Sequence, residues 1–364
     1  MVSAHAENGR TSESMVRIGE FKKEAAEKLR ALFPQVTEWQ ESLDATVGDQ
    51  TVDVLVRFQM GQGREPKTLI CEIRSLGEPR YLREAITRLR ELRAQIPGAY
   101  PVVAAPYVSP QSAALVRRNN CGYLDLVGNC YLAFDNVLIQ KEGRPNTGLV
   151  RRPLKTLFAP RATRVVRALL VERERAWRLD ELGRAVGVSL GHAHNVIKRL
   201  EELDWVERGR DGLHRVPRPG ELLDAWRDAY SYRINGLHAF LSPTGDKRRA
   251  MEALARHATE LGMSYAFTLH AGTSLIGPHT RGSTVHCYVS GDIEALVRVL
   301  GLQPVEGEGA VYLMTPYDPG VFYAPMVKGG LRVVSLPQLY VDLHGHERRG
   351  REQAEKLRRD AMGF

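Results

Sequence analysis

Asp53, Glu72 and Arg74 are residues whose types and spacing could support metal-assisted chemistry. Asp53 falls in the strand-like run Thr51 to Phe58, where Val52, Val54, Val56 and Phe58 predict one apolar face and Asp53 and Arg57 the other. Glu72-Ile73-Arg74 closes the next such run, Thr68 to Ser75. Alternate residues of a strand point the same way, so Glu72 and Arg74 share a face. Pairing of the two strands then predicts Asp53 beside them. Two carboxylates can hold Mg2+ or Mn2+ through oxygen ligands, and an adjacent cation can contact a phosphate. Arginine keeps its proton, so Arg74 cannot act as a general base. Glu24 or Glu27, on a preceding helical run, could add a further acid. The alternative reading makes Asp53 and Glu72 polar strand-end residues without catalysis, kept for structure or DNA contact.

A second constellation, Arg178 to Val216, could bind rather than react. Leu179, Leu182 and Val186 share one face at helical spacing, Gly187 ends that helix, and Ser189 can cap the next. The second helix, Leu190 to Leu203, buries Ala193, Val196, Ile197, Leu200 and Leu203. It leaves His192, His194, Asn195, Lys198 and Arg199 outside or on its flanks. Trp205 to Arg208 and Leu213 to Val216 read as two short strands around the turn Gly209-Arg210-Asp211-Gly212. This is the pattern of a winged helix-turn-helix. Ser189, His192, His194, Asn195, Lys198 and Arg199 are donors that can reach a major groove, with Arg208, Arg210 and Arg215 on the flanking backbone. Asn195 is the candidate for a bidentate adenine contact. A scaffold or protein-docking use of the same motif is the plainer alternative.

Charge favours nucleic acid. Residues 151–218 hold 16 Lys or Arg against 9 Asp or Glu, whereas the whole chain of 364 residues has 51 against 43. The net charge of +8 is therefore concentrated in one segment, which attracts a polyanion in a salt-dependent way. Hydrophobic residues at 43% and charged ones at 26% are those of an ordinary globular protein. No apolar run approaches the roughly 20 residues of a membrane helix. Met1 to Ser14 is polar without an apolar signal core, which predicts a short or disordered arm on a cytoplasmic protein. Cys71, Cys121, Cys130 and Cys287 are scattered without CxxC spacing and read as buried free thiols. The eleven histidines, His344 and His346 included, show no metal-ligand spacing.

The elements that must position these residues fall into three predicted domains: 14–148, 154–217 and 219–361. In the first, the patterning predicts a helix over Val16–Leu32 and strands near Thr37–Leu43, Thr51–Phe58 and Thr68–Ser75. A helix over Tyr81–Gln95, a strand over Tyr100–Pro106 and a helix over Ser109–Asn119 follow. Gly122–Phe134 and Asn136–Gln140 are expected as two closing strands. Asp125, between apolar neighbours, is expected to bond backbone or pair with Arg80 or Arg74. That order predicts an α/β sheet with helices on its faces. Gly143–Arg152 reads as a linker, Arg161–Arg173 as the helix opening the central domain, and Pro219–Ile234 as a connecting helix. In the last domain, strands are expected at Ala266–His270, Val285–Val289, Ala310–Met314, Val321–Ala324 and Leu331–Ser335. Helices are expected at Lys247–Leu261, Asp292–Leu300, Gln338–Leu343 and Arg348–Arg359. Gly272-Thr273-Ser274 could form a phosphate-binding turn, but Val285-His286-Cys287-Tyr288-Val289 carries no carboxylate for a metal, which argues against nucleotidyl transfer. Tyr317-Asp318-Pro319-Gly320 reads as a turn.

The carboxylates and element order of 14–148 resemble the PD-(D/E)xK restriction-endonuclease-like fold, with Arg74 in place of the usual lysine. Five further stretches carry a second resemblance: Leu154 to Arg164, Val188 to Val196, Tyr317 to Tyr323, Pro337 to Leu343 and Arg349 to Glu355. Over roughly residues 150–361 these resemble the AbiEi-type antitoxin family of type IV toxin–antitoxin systems. That resemblance implies a DNA-binding regulator whose C-terminal α+β domain is nucleotidyltransferase-like but inactive. It also implies a functional pairing with a nucleotidyltransferase toxin. The expectation is a multidomain α/β and α+β protein that binds double-stranded DNA, needs no cofactor and forms no membrane contact. Regulators that read palindromes dimerise, so a homodimer is an allowed partner. The alternative is a DNA endonuclease using Asp53, Glu72 and Arg74 with Mg2+ or Mn2+.

Overall fold

The computed structural model describes residues 19–364 except 37, 62–64, 147–156, 278–283 and 347. The chain divides into two compact units, residues 1–151 with 202–204, and residues 152–201 with 205–364. The expected arm at Met1–Ser14 and the Leu154-Lys155-Thr156 stretch lie outside the described residues.

The first unit opens with a helix, α1, over residues 19–31. A seven-stranded sheet follows, and its strands pair in chain order: β1 (Trp39–Val47), β2 (Gln50–Phe58), β3 (Lys67–Ile73), β4 (Tyr100–Ala105), β5 (Gly122–Asp125), β6 (Cys130–Phe134) and β7 (Val137–Lys141). Strands β1, β2 and β3 form an antiparallel meander, and a tight turn through Gly48 at φ 59° joins the first two. Helices α2 (Pro79–Gln95) and α3 (Pro110–Arg118) provide the crossovers that make β3–β4 and β4–β5 parallel. Ser109 caps α3 by accepting the Ser112 N–H at 3.2 Å.

Two apolar clusters sandwich this sheet. Phe21, Ala25 and Leu29 of α1 pack with Val54, Val56 and Phe58, whereas Leu82, Ile86 and Leu89 of α2 pack with Ile70, Val103 and Val52. Val52 therefore does not share the face of Val54, as strict alternation predicts. The break falls at Asp53, which the β1–β2 ladder skips together with Asp44, at φ 50°. The run Gly122–Phe134 is two strands, parted where Gly128-Asn129 signals a bulge or turn: Gly128 turns the chain at φ 97°.

The second unit begins with α4 (Pro160–Val171), α5 (Leu179–Val186) and α6 (Leu190–Glu202), followed by a ribbon of β8 (Glu207–Arg208) and β9 (His214–Arg215). Gly187, at φ 66°, ends α5 in a left-handed cap. Gly183 lets α5 approach the turn closely: a Cβ there would sit 3.1 Å from the Val188 carbonyl. Ala193, Val196, Ile197, Leu200 and Leu203 are buried, as their helical spacing predicts.

Helix α7 (Pro219–Ala229) and a 3-10 turn (Tyr232–Ile234) lead into a second seven-stranded sheet. Its strands are β10 (Gly236–Leu241), β11 (Ser264–Thr268), β12 (Val285–Ser290), β13 (Gln303–Pro304), β14 (Val311–Thr315), β15 (Met326–Lys328) and β16 (Leu331–Val333). They lie in the order β13-β10-β14-β12-β11-β16-β15. Helices α8 (Lys247–Glu260), α9 (Leu269–Ile276), α10 (Ile293–Leu300), α11 (Leu336–Gly345) and α12 (Arg348–Leu357) complete it, with a π-helical turn over Arg358–Met362. The strand expected at Val321–Ala324 is instead a 3-10 turn, Pro319–Phe322. Asp318 starts it by accepting the Gly320 N–H at 2.7 Å, and Pro319 fixes the next φ. Strand β10 has no counterpart in the apolar periodicity, and Gly272-Thr273-Ser274, which could open a helix as a phosphate-binding turn, lie inside α9.

Candidate functional site

In the first unit each carboxylate has its own cation. The Lys22 ammonium, on α1, lies 2.8 Å from Asp53 Oδ1 and also contacts Asp44. Asp53 Oδ2 accepts the Ile73 N–H at 2.8 Å. Glu72 is almost fully buried; its Oε2 accepts from Arg74 Nη1 at 3.0 Å, and Arg88 Nε of α2 lies 3.1 Å from Oε1 in charge contact without hydrogen-bond alignment. Burial and the nearby Asp53 charge raise the Glu72 pKa against the pull of Arg88 and Arg74. Burial alone would lower the Lys22 pKa, but its bonds to Asp44 and Asp53 raise it overall. Asp53 thus engages the helix packed on one apolar cluster, and Glu72 the helix packed on the other. Glu24 and Glu27, the expected extra acids, are exposed, and Glu24 pairs with Lys28. Among the described residues no group of three or more His, Cys, Asp or Glu side chains is arranged to hold a metal.

Asp125 is buried and paired with neither Arg80 nor Arg74. It accepts the Val108 N–H at 3.1 Å, the Asn129 N–H at 2.7 Å and the Asn129 side-chain amide at 2.9 Å, so it pins the turn before β6. The four cysteines are buried and outside any disulfide, and burial pushes Cys121 up to about 11, which keeps it a thiol.

In the second unit, Ser189 caps α6 by accepting the His192 N–H at 3.2 Å. His194, Asn195 and Lys198 are exposed on the helix; His192 and Arg199 are half-buried on its flanks. Arg208 and Arg210 are exposed at the ribbon tip. Arg215 differs: its guanidinium forks onto Asp211, at 3.0 and 2.5 Å, and this pairing holds the Asp211 carboxyl far below its usual range. His214, opposite Arg208, is buried, bonds Glu201 at 3.1 Å and has its pKa lowered by burial. Trp177 exchanges backbone hydrogen bonds with His214 at 2.9 Å each, adding a third edge to the ribbon that the sequence pattern does not reveal.

A buried polar cluster ties α4 to the second sheet. Arg167, fully buried, donates to Gln338 Oε1 at 3.1 and 2.7 Å and to the Tyr317 hydroxyl at 3.2 Å, and it lies over the Trp226 ring. Arg164 grips Asp318 through three contacts of 2.8, 3.0 and 2.8 Å, so the expected turn residue is also an ion-pair partner. Asp342, also fully buried, accepts from Tyr230 at 2.6 Å, Tyr288 at 3.1 Å, Gln338 at 2.8 Å and Thr268 at 2.6 Å. Burial raises its pKa against those four donors. Sequence reasoning missed this cluster. Its members are far apart along the chain, and their sequence signals are charged residues inside apolar helical runs, Arg167 and Asp342.

Residues 215–362 match the family model described as "Transcriptional regulator, AbiEi antitoxin, Type IV TA system". The resemblance read over roughly 150–361 is thereby borne out in its C-terminal part. The match covers less than half of the chain and takes in α7 and the second sheet, while α4 to α6 precede it. No curated protein and no solved structure matches the chain. No helix among the described residues is long and apolar enough to cross a membrane.

Proposed function

We propose that this chain is a sequence-specific double-stranded DNA-binding transcriptional regulator, an autoregulatory antitoxin of the type IV class, acting in the cytoplasm. The observation that carries this reading is the solvent face of α6. Asn195 and Lys198 are exposed there beside His194, and neither has a side-chain partner among the described residues. Three helices followed by a ribbon edged by Trp177 support a winged helix-turn-helix, with α6 entering the major groove and Arg208 and Arg210 on phosphates. The Arg215 fork onto Asp211 gives that residue a share in shaping the ribbon before it meets any phosphate. The family match supports a pairing with a toxin, which the resemblance of residues 150–361 would make a nucleotidyltransferase, and two-fold operators favour a homodimer. In the C-terminal region, a strand, helix α9 and antiparallel β12 support nucleotidyltransferase-like ancestry, with His286 and Tyr288 on β12 where carboxylates would be needed for metals. Three domains, 14–148, 154–217 and 219–361, remain our division of the chain.

Selection of bound fragments from a randomised duplex pool, followed by anisotropy titrations, tests the reading. Lys198→Ala with Arg199→Ala is expected to weaken binding about 10–100-fold and to reduce the slope of log K against log salt by about two. Unchanged affinity and salt slope would sink it.

The order α1-β1-β2-β3-α2-β4 also supports a restriction-endonuclease-like core for residues 14–148. We propose that this core no longer cleaves: Lys22, Arg74 and Arg88 neutralise the carboxylates that would hold Mg2+ or Mn2+, and Arg74 cannot act as base. Plasmid and linear duplex incubated with either metal should stay intact. Metal-dependent nicking that disappears in Asp53→Ala would establish the endonuclease instead.

A further inference from the structure

We infer a second binding site in the 152–364 unit, a cavity shaped for an amphipathic carboxylic acid: an aromatic or aliphatic body carrying one carboxylate. The cavity, about 490 Å3, lies among the C-terminal end of α4, the start of α11 and the chain's last residues. Its size is within the roughly 300–1,000 Å3 range of small-molecule sites. Leu170, Met326, Leu336 and Phe364 make much of the wall apolar.

Two features of the lining select an anion. Ser335 lines the cavity, is 1% exposed, and its hydroxyl has no hydrogen-bond partner among the described residues. It is also the N-cap of the ten-residue α11, yet its side chain makes no capping bond. An orphan buried hydroxyl costs about 1–3 kcal/mol unless something bonds it. Leu336 and Pro337, the first residues of that helix, line the cavity too. Pro337 has no N–H, so of these two only Leu336 offers a first-turn N–H without an acceptor within the helix, and the positive end of the helix dipole faces an anion placed there.

The second feature is Arg173. Its guanidinium stacks on the Phe364 ring at 4.7 Å, bonds the Met362 carbonyl, and meets Glu174 at 3.1 Å. The Glu174 side chain is 90% exposed, so a ligand carboxylate can displace it at little cost. Glu172, the other acid of the lining, is already committed to the Tyr323 hydroxyl at 2.5 Å and to Arg175 at 2.9 Å. An acid that places its carboxylate between Ser335 and Arg173 and its apolar body along Leu170 and Met326 satisfies both ends.

The test uses 1-naphthoate and its uncharged twin, 1-naphthamide, on the full chain by calorimetry and thermal shift. Both readouts need no DNA, so this site stands or falls separately from the regulatory reading. Naphthoate is expected to bind saturably with a Kd of roughly 1 mM or tighter and to raise Tm, and the amide to bind at least about tenfold more weakly. Ser335→Ala should weaken naphthoate several-fold, and Arg173→Met, which keeps the stem on Phe364, about tenfold. Circular dichroism of both variants checks that they fold. Absence of saturable naphthoate binding overturns the inference. So does equal affinity for the amide, or binding that neither folded variant changes.

Discussion

The two seven-stranded sheets treat buried charge in opposite ways. In the first, Asp53 and Glu72 are met by cations, Lys22 from one helix and Arg88 from another, with Arg74 beside them. In the second, Asp342 is met by three hydroxyls and an amide, all neutral. Cations that stay partly solvated, as these do, can exchange for a metal or turn to a phosphate. A carboxylate closed in by four neutral donors can exchange with nothing, since every donor would be left unpaired. The first arrangement is the one our proposal of a core that no longer cleaves calls for. The second is a structural hub that joins α7, β11, β12 and α11.

The largest effect that bears on this contrast is expected at the hub. Asp342→Ala leaves four buried donors without their acceptor and should cost roughly 3–5 kcal/mol of stability, read by urea unfolding. A loss below about 1 kcal/mol would mean that the donors re-pair and that Asp342 joins nothing.

Next comes a histidine of the same sheet. His286 is buried, stacks flat on Tyr312 at 4.5 Å, and faces the rings of His346 and His270 and the Lys247 ammonium. Burial lowers its pKa from 6.5 to about 3, and those neighbours push the same way. A histidine depressed on folding is protonated first in the unfolded chain. Stability is therefore lost as pH falls below 6.5, progressively down to about 3. His286→Phe keeps the ring stack and removes that loss. Relative to wild type it should gain about 2 kcal/mol between pH 7 and pH 5. Parallel pH profiles for the two proteins would refute the assignment.

The first sheet should respond less. Asp53→Ala frees the Ile73 N–H but leaves Lys22 its second partner, Asp44, so a cost of about 1–2 kcal/mol is expected. If Mg2+ stabilises the wild type and not this variant, the carboxylates are a metal site and the contrast fails. Glu72→Gln should show the smallest change, and one with a sign. The raised Glu72 pKa means that folding disfavours its charge, so its contribution is best below 4.5 and is lost as pH rises through the raised value. Wild-type stability should therefore fall relative to Glu72→Gln from pH 4 toward pH 7. A difference that moves the other way would mean that Arg74 and Arg88 more than offset burial.

Legibility differed between the sheets for a physical reason. The first pairs its strands in chain order, so hydrophobic runs separated by turns and helices were enough to trace it. Its misread point is a local irregularity, the ladder break at Asp53, whereas Gly128-Asn129 already signals a bulge or turn in the sequence. The second pairs β14 with both β10 and β12, and its central strands are joined through segments that periodicity cannot rank. The strand β10 was invisible because Gly236, His238 and Leu241 break both apolar and polar patterns.

By itself the sequence determined most strands and helices of the first unit, the capped helix pair around Gly187 and Ser189, the burial of the α6 stripe and the four buried thiols. All of these depend on backbone preference and on which side chains avoid water, properties that neighbours in the chain already express. Tertiary structure alone decided the partners of charge. Lys22 reaches Asp53, Arg164 reaches Asp318, Arg167 reaches Gln338, and Ser335 is left with an unbonded hydroxyl at a cavity wall. Electrostatic pairing depends on separation in space, and the strand order and helix packing that set those separations are not written in any local run of residues.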